Sequence, residues 1–189
     1  YPYALTKRLG EEIVLHWAKV YNIPAISTRF FNVYGTRSRT SGTYGAVFGV
    51  FLAQRLANEP LTIIGDGNQK RDFSYVTDIC KGMMLAAESK YTNEIFNIGS
   101  GKPQSINRLA ELIGGETVYI PERPGEPTIT HANIEKAKSL LNYNPEVEFE
   151  LGVKKVIDNI NYWANAPVWT PEKIEEVSKP WFDSLGAKI

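Results

Sequence analysis

The sequence contains a single cysteine, Cys80, and only two histidines. One cysteine cannot form a disulfide within the chain, and such sparse use of cysteine is typical of proteins kept in a reducing compartment. We therefore expect a cytoplasmic protein. The histidines and the cysteine stand at unrelated positions, so the sequence predicts no metal site.

The chain also lacks any excess of charge. Its 189 residues include 21 Lys and Arg and 21 Asp and Glu, so there is no overall positive field to attract nucleic acid. There is no signal peptide and no long apolar run, so we expect no membrane association. The length suits one domain or two small ones. An anionic ligand would have to be held by a few individually placed arginines.

The first residues carry the most suggestive chemistry. Tyr3 and Lys7 are four positions apart and would share one face of a helix. A nearby ammonium favours the phenolate and lowers a tyrosine pKa, which makes Tyr3 a candidate proton shuttle for a hydroxyl group. The alternative is a solvated helix face, because this spacing alone is not specific. The chain begins at Tyr1 without Met, directly at this helix, and we expect it to be a fragment of a longer protein.

Apolar periodicity predicts a first helix from Tyr3 to about Val20, and the rest of the chain alternates helical and β-prone segments. Thr77 and Asp78 are predicted to cap one later helix, and Ser105 another. The further predicted helices cover residues 46–58, 79–89, 106–113, 133–141, 150–164 and 171–185, and the predicted strands cover 25–31, 61–64, 72–76, 94–98 and 117–120. This order is typical of an α/β fold with a doubly wound sheet.

Two polar residues stand where strands of such a sheet meet a ligand or a loop. Asn32 follows the strand 25–31, where ligands collect in doubly wound sheets, although it could equally close a turn before Gly35. Arg71 stands at the start of the strand 72–76. It can be a rim charge or a fork for an anion, since a guanidinium matches phosphate in two hydrogen bonds.

Three predicted loops contain charged residues or paired glycines. Arg123-Pro124-Gly125-Glu126 is rigid and offers a cation for phosphate and a carboxylate for ribose hydroxyls, with a surface turn as the alternative. The loop 36–45 carries Arg37 and Arg39. Residues 99–101 contain two glycines but not the third of a dinucleotide loop, which predicts a plain turn.

Several motifs occur in one order along the chain: Tyr3-x-x-x-Lys7, then Arg29-Phe30-Phe31-Asn32-Val33-Tyr34-Gly35, then Gly65-Asp66-Gly67-x-x-x-Arg71-Asp72-Phe73-x-Tyr75-Val76-x-Asp78, then Asn97-x-Gly99, then Arg123-x-Gly125-Glu126. This series resembles the extended short-chain dehydrogenase/reductase family, specifically its nucleotide-sugar epimerases and dehydratases. The resemblance extends to about residue 160.

The resemblance implies a role for each matching residue. Tyr3 would be the catalytic acid/base, Lys7 would bind the nicotinamide ribose and lower the tyrosine pKa, and Phe30 would lie near the nicotinamide of NAD, with NADP not excluded. The residues implied for the nucleotide-diphosphate sugar are Asn32 near the phosphates, Val47, Thr62 and Ile64 around the base, Arg71 and Arg123 on the diphosphate, and Glu126, where many relatives have Asp, on the nucleotide ribose.

The resemblance also implies an architecture. Residues 1–35 and 76–100 would be the C-terminal part of a Rossmann-type NAD-binding domain, and residues 36–75 and 101–189 a small α/β substrate domain. The family's Gly-rich dinucleotide loop and the Ser/Thr that precedes its tyrosine are absent from this sequence. We therefore expect that the 189 residues alone neither bind NAD tightly nor turn over.

The leading hypothesis is an NAD-dependent epimerase acting on a UDP-hexose at C4 through a transient keto sugar. A dehydratase or decarboxylase on the same scaffold is a second enzyme hypothesis, and a non-catalytic binding or scaffold protein is the hypothesis from another class. The resemblance further implies a homodimer that uses the helix of Tyr3 and Lys7.

Overall fold

The structure is a computed structural model that describes residues 2–38 and 47–185. Its helices in these ranges are α1 (Pro2–Val20), α2 (Val47–Leu56), α3 (Val76–Glu88), α4 (Ile106–Ile113), α5 (Glu135–Leu141), α6 (Phe149–Ile157) and α7 (Pro171–Leu185), with a 3-10 turn at Ile160–Trp163. The strands are β1 (Ile26–Phe30), β2 (Val33–Tyr34), β3 (Leu61–Ile64), β4 (Lys70–Arg71), β5 (Ser74–Tyr75), β6 (Glu94–Ile98), β7 (Gln104–Ser105) and β8 (Thr117–Ile120).

One hydrophobic core forms around the parallel strands β1 and β6. In their register Ile26 lies opposite Glu94, and α3 and α5 pack against the pair. Phe96 is fully buried, and the buried Tyr143 donates its hydroxyl hydrogen to the carbonyl of Gly99 at 2.9 Å. Parallel strands covered by helices are the arrangement expected of an α/β fold, so the predicted fold class is confirmed.

A second core forms around the parallel strands β3 and β8. Leu61 lies opposite Thr117, and α2 and α4 pack beside β3. The apolar side chains of Leu52, Leu109 and Trp163 are buried in this core. The predicted strands 61–64, 94–98 and 117–120 are confirmed at their predicted boundaries.

Helix α4 is confirmed together with its cap. It spans Ile106–Ile113, and the Ser105 hydroxyl oxygen accepts a hydrogen bond from the backbone N–H of Arg108 at 3.1 Å. The cap predicted for the next helix upstream is wrong. Helix α3 begins at Val76 with Tyr75 as its N-cap, and the carboxylate of Asp78 instead accepts a hydrogen bond from the backbone N–H of Val147.

Two predicted elements are much shorter than expected. The strand 72–76 is reduced to β5, which pairs with β2, since Asp72 lies in the loop before it and Val76 already begins helix α3. The helix 150–164 is divided into α6 and the turn Ile160–Trp163. Trp163 is buried, Trp169 is half-buried, and the side chain of Trp181 lies outside the described residues.

Helix α1 carries the predicted apolar stripe, but that stripe faces outward within the described part of the chain. Leu5, Ile13 and Trp17 are each more than half exposed. The helix is held to β1 by Glu11, whose carboxylate accepts hydrogen bonds from Ser27 Oγ at 2.7 Å and from Arg29 Nη2 at 2.6 Å. Within the described residues 2–38 and 47–185, no helix is long and apolar enough to cross a membrane, and no cluster of metal-ligating side chains occurs.

Candidate functional site

A cavity of about 320 Å³ opens between α2, β3, the loop around residues 123–127 and the C-terminal segment. We call it the arginine pocket because two arginines line it. Its walls combine apolar and polar side chains, as ligand pockets usually do. The lining residues are Asn32, Val47, Val50, Phe51, Thr62, Ile64, Gln69, Arg71, Ile106, Arg123, Gly125, Glu126, Pro127, Trp169, Ile174 and Val177.

The structure brings all the predicted sugar-nucleotide residues to this one pocket. They come from the loop after β1, the start of α2, strand β3, strand β4 and the loop after β8. These residues are Asn32, Val47, Thr62, Ile64, Arg71, Arg123 and Glu126. Residues far apart in the sequence are therefore neighbours in space, which the sequence hypothesis requires. Arg39, from the predicted loop 36–45, lies outside the described residues.

Arg71 and Arg123 meet at one carboxylate. Nη2 of Arg71 lies 3.6 Å from Oε2 of Glu126, and Nη1 of Arg123 lies 3.3 Å from Oε1 of the same side chain. Both arginine side chains are largely buried, so the three groups are shielded from solvent. Two cations against one anion leave a net positive charge at this end of the pocket, which suits a ligand carrying more than one negative charge.

The guanidinium of Arg71 is also fixed by backbone acceptors. Its Nη1 donates to the carbonyl of Lys70 at 2.9 Å and to that of Pro127 at 2.8 Å. Burial lowers the pKa of Arg71, and the carboxylate of Glu126 opposes that shift. An arginine pKa begins so high that the group still carries its charge under physiological conditions. Arg71 is therefore a permanent, oriented cation.

A tight turn returns Glu126 to Arg123. The backbone N–H of Glu126 donates to the carbonyl of Arg123 at 3.4 Å, and Gly125 has a φ of 79°. Proline followed by a glycine of positive φ is the pattern of a type II turn, which a side chain at the glycine would strain. Pro124 and Gly125 thus place the cation and the carboxylate side by side.

Gln54 is fully buried and hydrogen-bonds two residues that line the pocket. Nothing in the sequence indicated this role for Gln54. Its amide nitrogen donates to Thr62 Oγ1 at 2.9 Å and to the carbonyl of Trp169 at 2.6 Å, and its amide oxygen accepts from the N–H of Thr62 at 3.1 Å. One side chain therefore joins the pocket strand β3 to the C-terminal segment. Its partner Trp169 is too distant in sequence for any local signal to reveal the contact.

Asp72 is a second buried polar residue that the sequence analysis gave no role. Its carboxylate accepts hydrogen bonds from the hydroxyls of Ser74 and Ser100 and from the backbone N–H groups of Ser100, Gly101 and Ala132, at 2.7 to 3.1 Å. A buried charge is tolerated when its hydrogen bonds are satisfied. The segment at residues 99–101 thus binds this carboxylate through the backbone N–H groups of Ser100 and Gly101.

Asn32 has a defined partner at the edge of the arginine pocket. Its side-chain oxygen accepts from Thr130 Oγ1 at 3.1 Å, and its backbone carbonyl accepts from the N–H of Ser74 at 3.0 Å. The side chain is thus oriented by the loop at Thr130. Asn32 lines the pocket from the loop between β1 and β2.

The predicted catalytic pair occupies a different surface. Lys7 Nζ lies 5.5 Å from the centre of the Tyr3 ring, so the two side chains do share a face of α1. Glu11 continues that face and binds β1, and the short connection after α1 makes helix and strand run in opposite directions. Tyr3 lies about 12 Å further along the helix, toward the carboxyl end of β1. Among the described residues that line the arginine pocket, Tyr3, Lys7 and Phe30 do not occur.

Comparison with known proteins identifies the family. The model of the NAD dependent epimerase/dehydratase family matches residues 1–99, slightly more than half of the chain. The chain belongs to this family. Membership in the NAD dependent epimerase/dehydratase family agrees with the motif order read from the sequence.

Individual relatives agree with this family membership. The chain is 34 % identical over 181 residues to a UDP-glucuronate 4-epimerase of Thermodesulfobacterium geofontis, covering 92 % of this chain and 51 % of that protein. It is 32 % identical over 167 residues to a UDP-N-acetyl-alpha-D-glucosaminuronate decarboxylase of Bacillus cytotoxicus, covering 82 % and 51 %. The chain thus spans about half the length of these relatives.

A solved structure shares the fold. The crystal structure of UDP-glucuronic acid 4-epimerase from Bacillus cereus, in complex with UDP-glucuronic acid and NAD, superimposes with a TM-score of 0.78 at 35 % sequence identity. The match covers 85 % of this chain and 52 % of that one. The likeness in fold therefore extends well beyond the residues of the family match.

Proposed function

We propose that this chain forms the sugar-nucleotide-binding part of an NAD-dependent nucleotide-sugar epimerase, of the UDP-hexose 4-epimerase type. The observation that carries the proposal is the convergence of Arg71 and Arg123 on Glu126 in one pocket. A diphosphate carries negative charges on adjacent groups, and two forked guanidiniums match them. The UDP-sugars named for related epimerases and decarboxylases support this ligand class.

The same proposal gives each end of the ligand its partners in the pocket. Arg71 and Arg123 bind the diphosphate, Glu126 accepts hydrogen bonds from the nucleotide ribose, and Asn32 lies near the phosphates. The apolar wall of Val47 and Ile64, together with Thr62 of β3, receives the base. Buried polar groups of this kind give specificity, because a ligand that fails to pair with them leaves them unsatisfied.

NAD is the cofactor that we propose, with NADP as the second possibility. The residues of this chain that fit it are Tyr3 and Lys7, on one face of α1, and Phe30 at the end of β1. NAD held there would supply reversible hydride transfer at the sugar carbon, with the hydride returned to the other face of a transient keto sugar. Tyr3 removes the hydroxyl proton and gives it back, and Lys7 holds the cofactor ribose and favours the phenolate.

The domain assignment and assembly are part of the same proposal. Residues 1–35 and 76–100 belong to the cofactor-binding domain and residues 36–75 and 101–189 to the substrate domain. The outward apolar stripe of α1 supports a homodimer, and the single exposed Cys80 supports a cytoplasmic location. Light scattering of the purified protein tests the dimer.

Two experiments test the function. Calorimetric titration of the 189-residue chain should show binding of UDP and no tight binding of NAD. NMR analysis of products made by the natural polypeptide that carries this sequence should show an inverted hexose when it is given a UDP-hexose and NAD. A 4-keto-6-deoxy sugar or released carbon dioxide would favour the dehydratase or decarboxylase, which the decarboxylase relative supports. Binding without any turnover would favour the non-catalytic alternative.

A further inference from the structure

Helix α7 contributes to the arginine pocket although it lies outside the residues matched by the family model. Ile174 and Val177 of this helix line the pocket, together with Trp169 just before it. The C-terminal segment therefore supplies part of the wall next to the arginines, in a region where the motifs that suggested a sugar-nucleotide site are absent.

Two buried polar contacts hold this segment against the pocket. The carbonyl of Trp169 accepts the 2.6 Å hydrogen bond from the buried Gln54. One face of α7 is held by Ser178, which is only 7 % exposed and whose hydroxyl oxygen accepts a hydrogen bond from Arg123 Nε at 3.2 Å. The wall is thus attached both before the helix and within it.

The contact with Ser178 fixes the orientation of Arg123. A guanidinium is planar, so anchoring Nε to Ser178 and Nη1 to Glu126 determines both its position and the plane of its remaining donors. Ser178 is a neutral acceptor, so it orients the group without cancelling its positive charge. Glu126, by contrast, both orients Arg123 and neutralises it.

We infer that Ser178 is a positioning residue for the diphosphate, acting through Arg123, and that α7 is a structural part of the sugar-nucleotide site. This inference rests on the proposed function. Without the hydroxyl, the buried Nε–H of Arg123 loses its acceptor and the guanidinium can rotate away from the geometry that a diphosphate requires. The contribution is confined to the charged part of the ligand.

The test compares two ligands that differ in that charged part. UDP and uridine share the base and the ribose, and only UDP carries the diphosphate. For Ser178→Ala in the full chain we expect the UDP dissociation constant to rise about 5- to 10-fold, in line with the typical net contribution of one hydrogen bond. We expect the uridine dissociation constant to change by less than about twofold, because uridine does not contact Arg123.

A pair of isosteric variants controls for changes in packing. Ser178→Thr keeps the hydroxyl and Ser178→Val replaces it with a methyl group of similar size, so both disturb the buried position equally. We expect UDP to bind to Ser178→Thr about as it binds to the unaltered protein, and to Ser178→Val as weakly as to Ser178→Ala. This comparison remains informative if Ser178→Ala folds poorly.

The outcomes separate the two proposals. UDP and uridine weakening together, or Ser178→Val binding UDP as tightly as Ser178→Thr, would overturn the role of Ser178 while leaving the proposed function intact. An unaltered chain that binds no UDP, or whose affinity for UDP is insensitive to loss of Arg123, would overturn the proposed function itself.

Discussion

The guanidiniums of Arg71 and Arg123 reach opposite oxygens of a single carboxylate, that of Glu126, at 3.6 and 3.3 Å. One arginine comes from the short strand β4 and the other from the loop after β8. Two like charges are thus held close together by one intervening anion. A bound diphosphate would interact with the same pair, so the affinity for ligand and the role of Glu126 are linked.

Replacing either arginine by lysine should weaken UDP binding. Arg71→Lys and Arg123→Lys keep the positive charge but lose the planar fork that matches phosphate oxygens. We expect the UDP dissociation constant to rise about tenfold for each variant, with little change for uridine. Calorimetric titration measures both. Arg8→Lys, in the exposed ion pair with Glu12 on α1, serves as the control and should have no effect. Equal weakening of uridine would count against a diphosphate role.

Glu126→Gln should affect two ligands in opposite directions. Removing the carboxylate leaves both guanidiniums without their anion, so we expect pyrophosphate to bind about 3- to 10-fold more tightly. Uridine should bind more weakly, because a neutral amide is a poorer acceptor for ribose hydroxyls than a carboxylate. Glu122→Gln removes the same charge from a nearby exposed position and is the matched control. Unchanged pyrophosphate affinity would show that Glu126 does not compete for the arginines.

Tyr3→Phe should sharply lower turnover without affecting sugar-nucleotide binding. The variant lacks the hydroxyl that would shuttle the proton, and proton transfer by a positioned side chain contributes about 10²- to 10⁴-fold to the rate. The kcat of the natural polypeptide carrying this sequence should fall by that factor, while the UDP dissociation constant stays the same. Tyr21→Phe alters another exposed tyrosine near the opposite end of α1 and should leave kcat unchanged. Intact turnover in Tyr3→Phe would refute the proposed mechanism.

Asp72→Asn should destabilise the protein strongly. The amide places a donor where the carboxylate now accepts hydrogen bonds, including those from the backbone N–H groups of Gly101 and Ala132. We expect the free energy of unfolding, measured in urea, to fall by about 2–4 kcal/mol. Asp158→Asn removes an exposed carboxylate paired with Lys154 and should cost no more than about 0.5 kcal/mol. Similar losses in both variants would contradict the structural role of Asp72.

The attachment of α1 should weaken in acid. The hydrogen bond from Arg29 lowers the pKa of Glu11, and the bond from Ser27 lowers it further against the opposing effect of burial. A depressed folded-state pKa contributes stability that is present above the unfolded pKa and is lost as the pH falls through the folded value. Hydrogen-exchange protection of α1 should therefore differ between the unaltered protein and Glu11→Gln at pH 7. The difference should disappear once Glu11 is protonated, and a difference that persists in acid would contradict the assignment.

Local signals predicted the fold well where a single segment carried all the information. The Ser105 cap and helix α4 are confirmed because both cap and helix depend on neighbouring residues. The cap predicted at Asp78 is wrong because that carboxylate accepts a hydrogen bond from the backbone N–H of Val147, far along the chain. The same distinction applies to the site. Motif order predicted the residues that surround the arginine pocket, whereas Gln54 and Ser178 were missed because their partners are distant in sequence.

The loop that carries Glu126 is joined to the strand that carries Arg71. The backbone N–H of Lys70 donates to the carbonyl of Thr128 at 2.8 Å, and the N–H of Thr130 donates back to the carbonyl of Lys70 at 3.0 Å. Arg71 and the loop of Glu126 are therefore held in place before a ligand binds, so little conformational entropy should be lost in ordering them on binding. Sugar nucleotides that share a diphosphate should gain equally from it, so discrimination among them must arise at the base and the sugar.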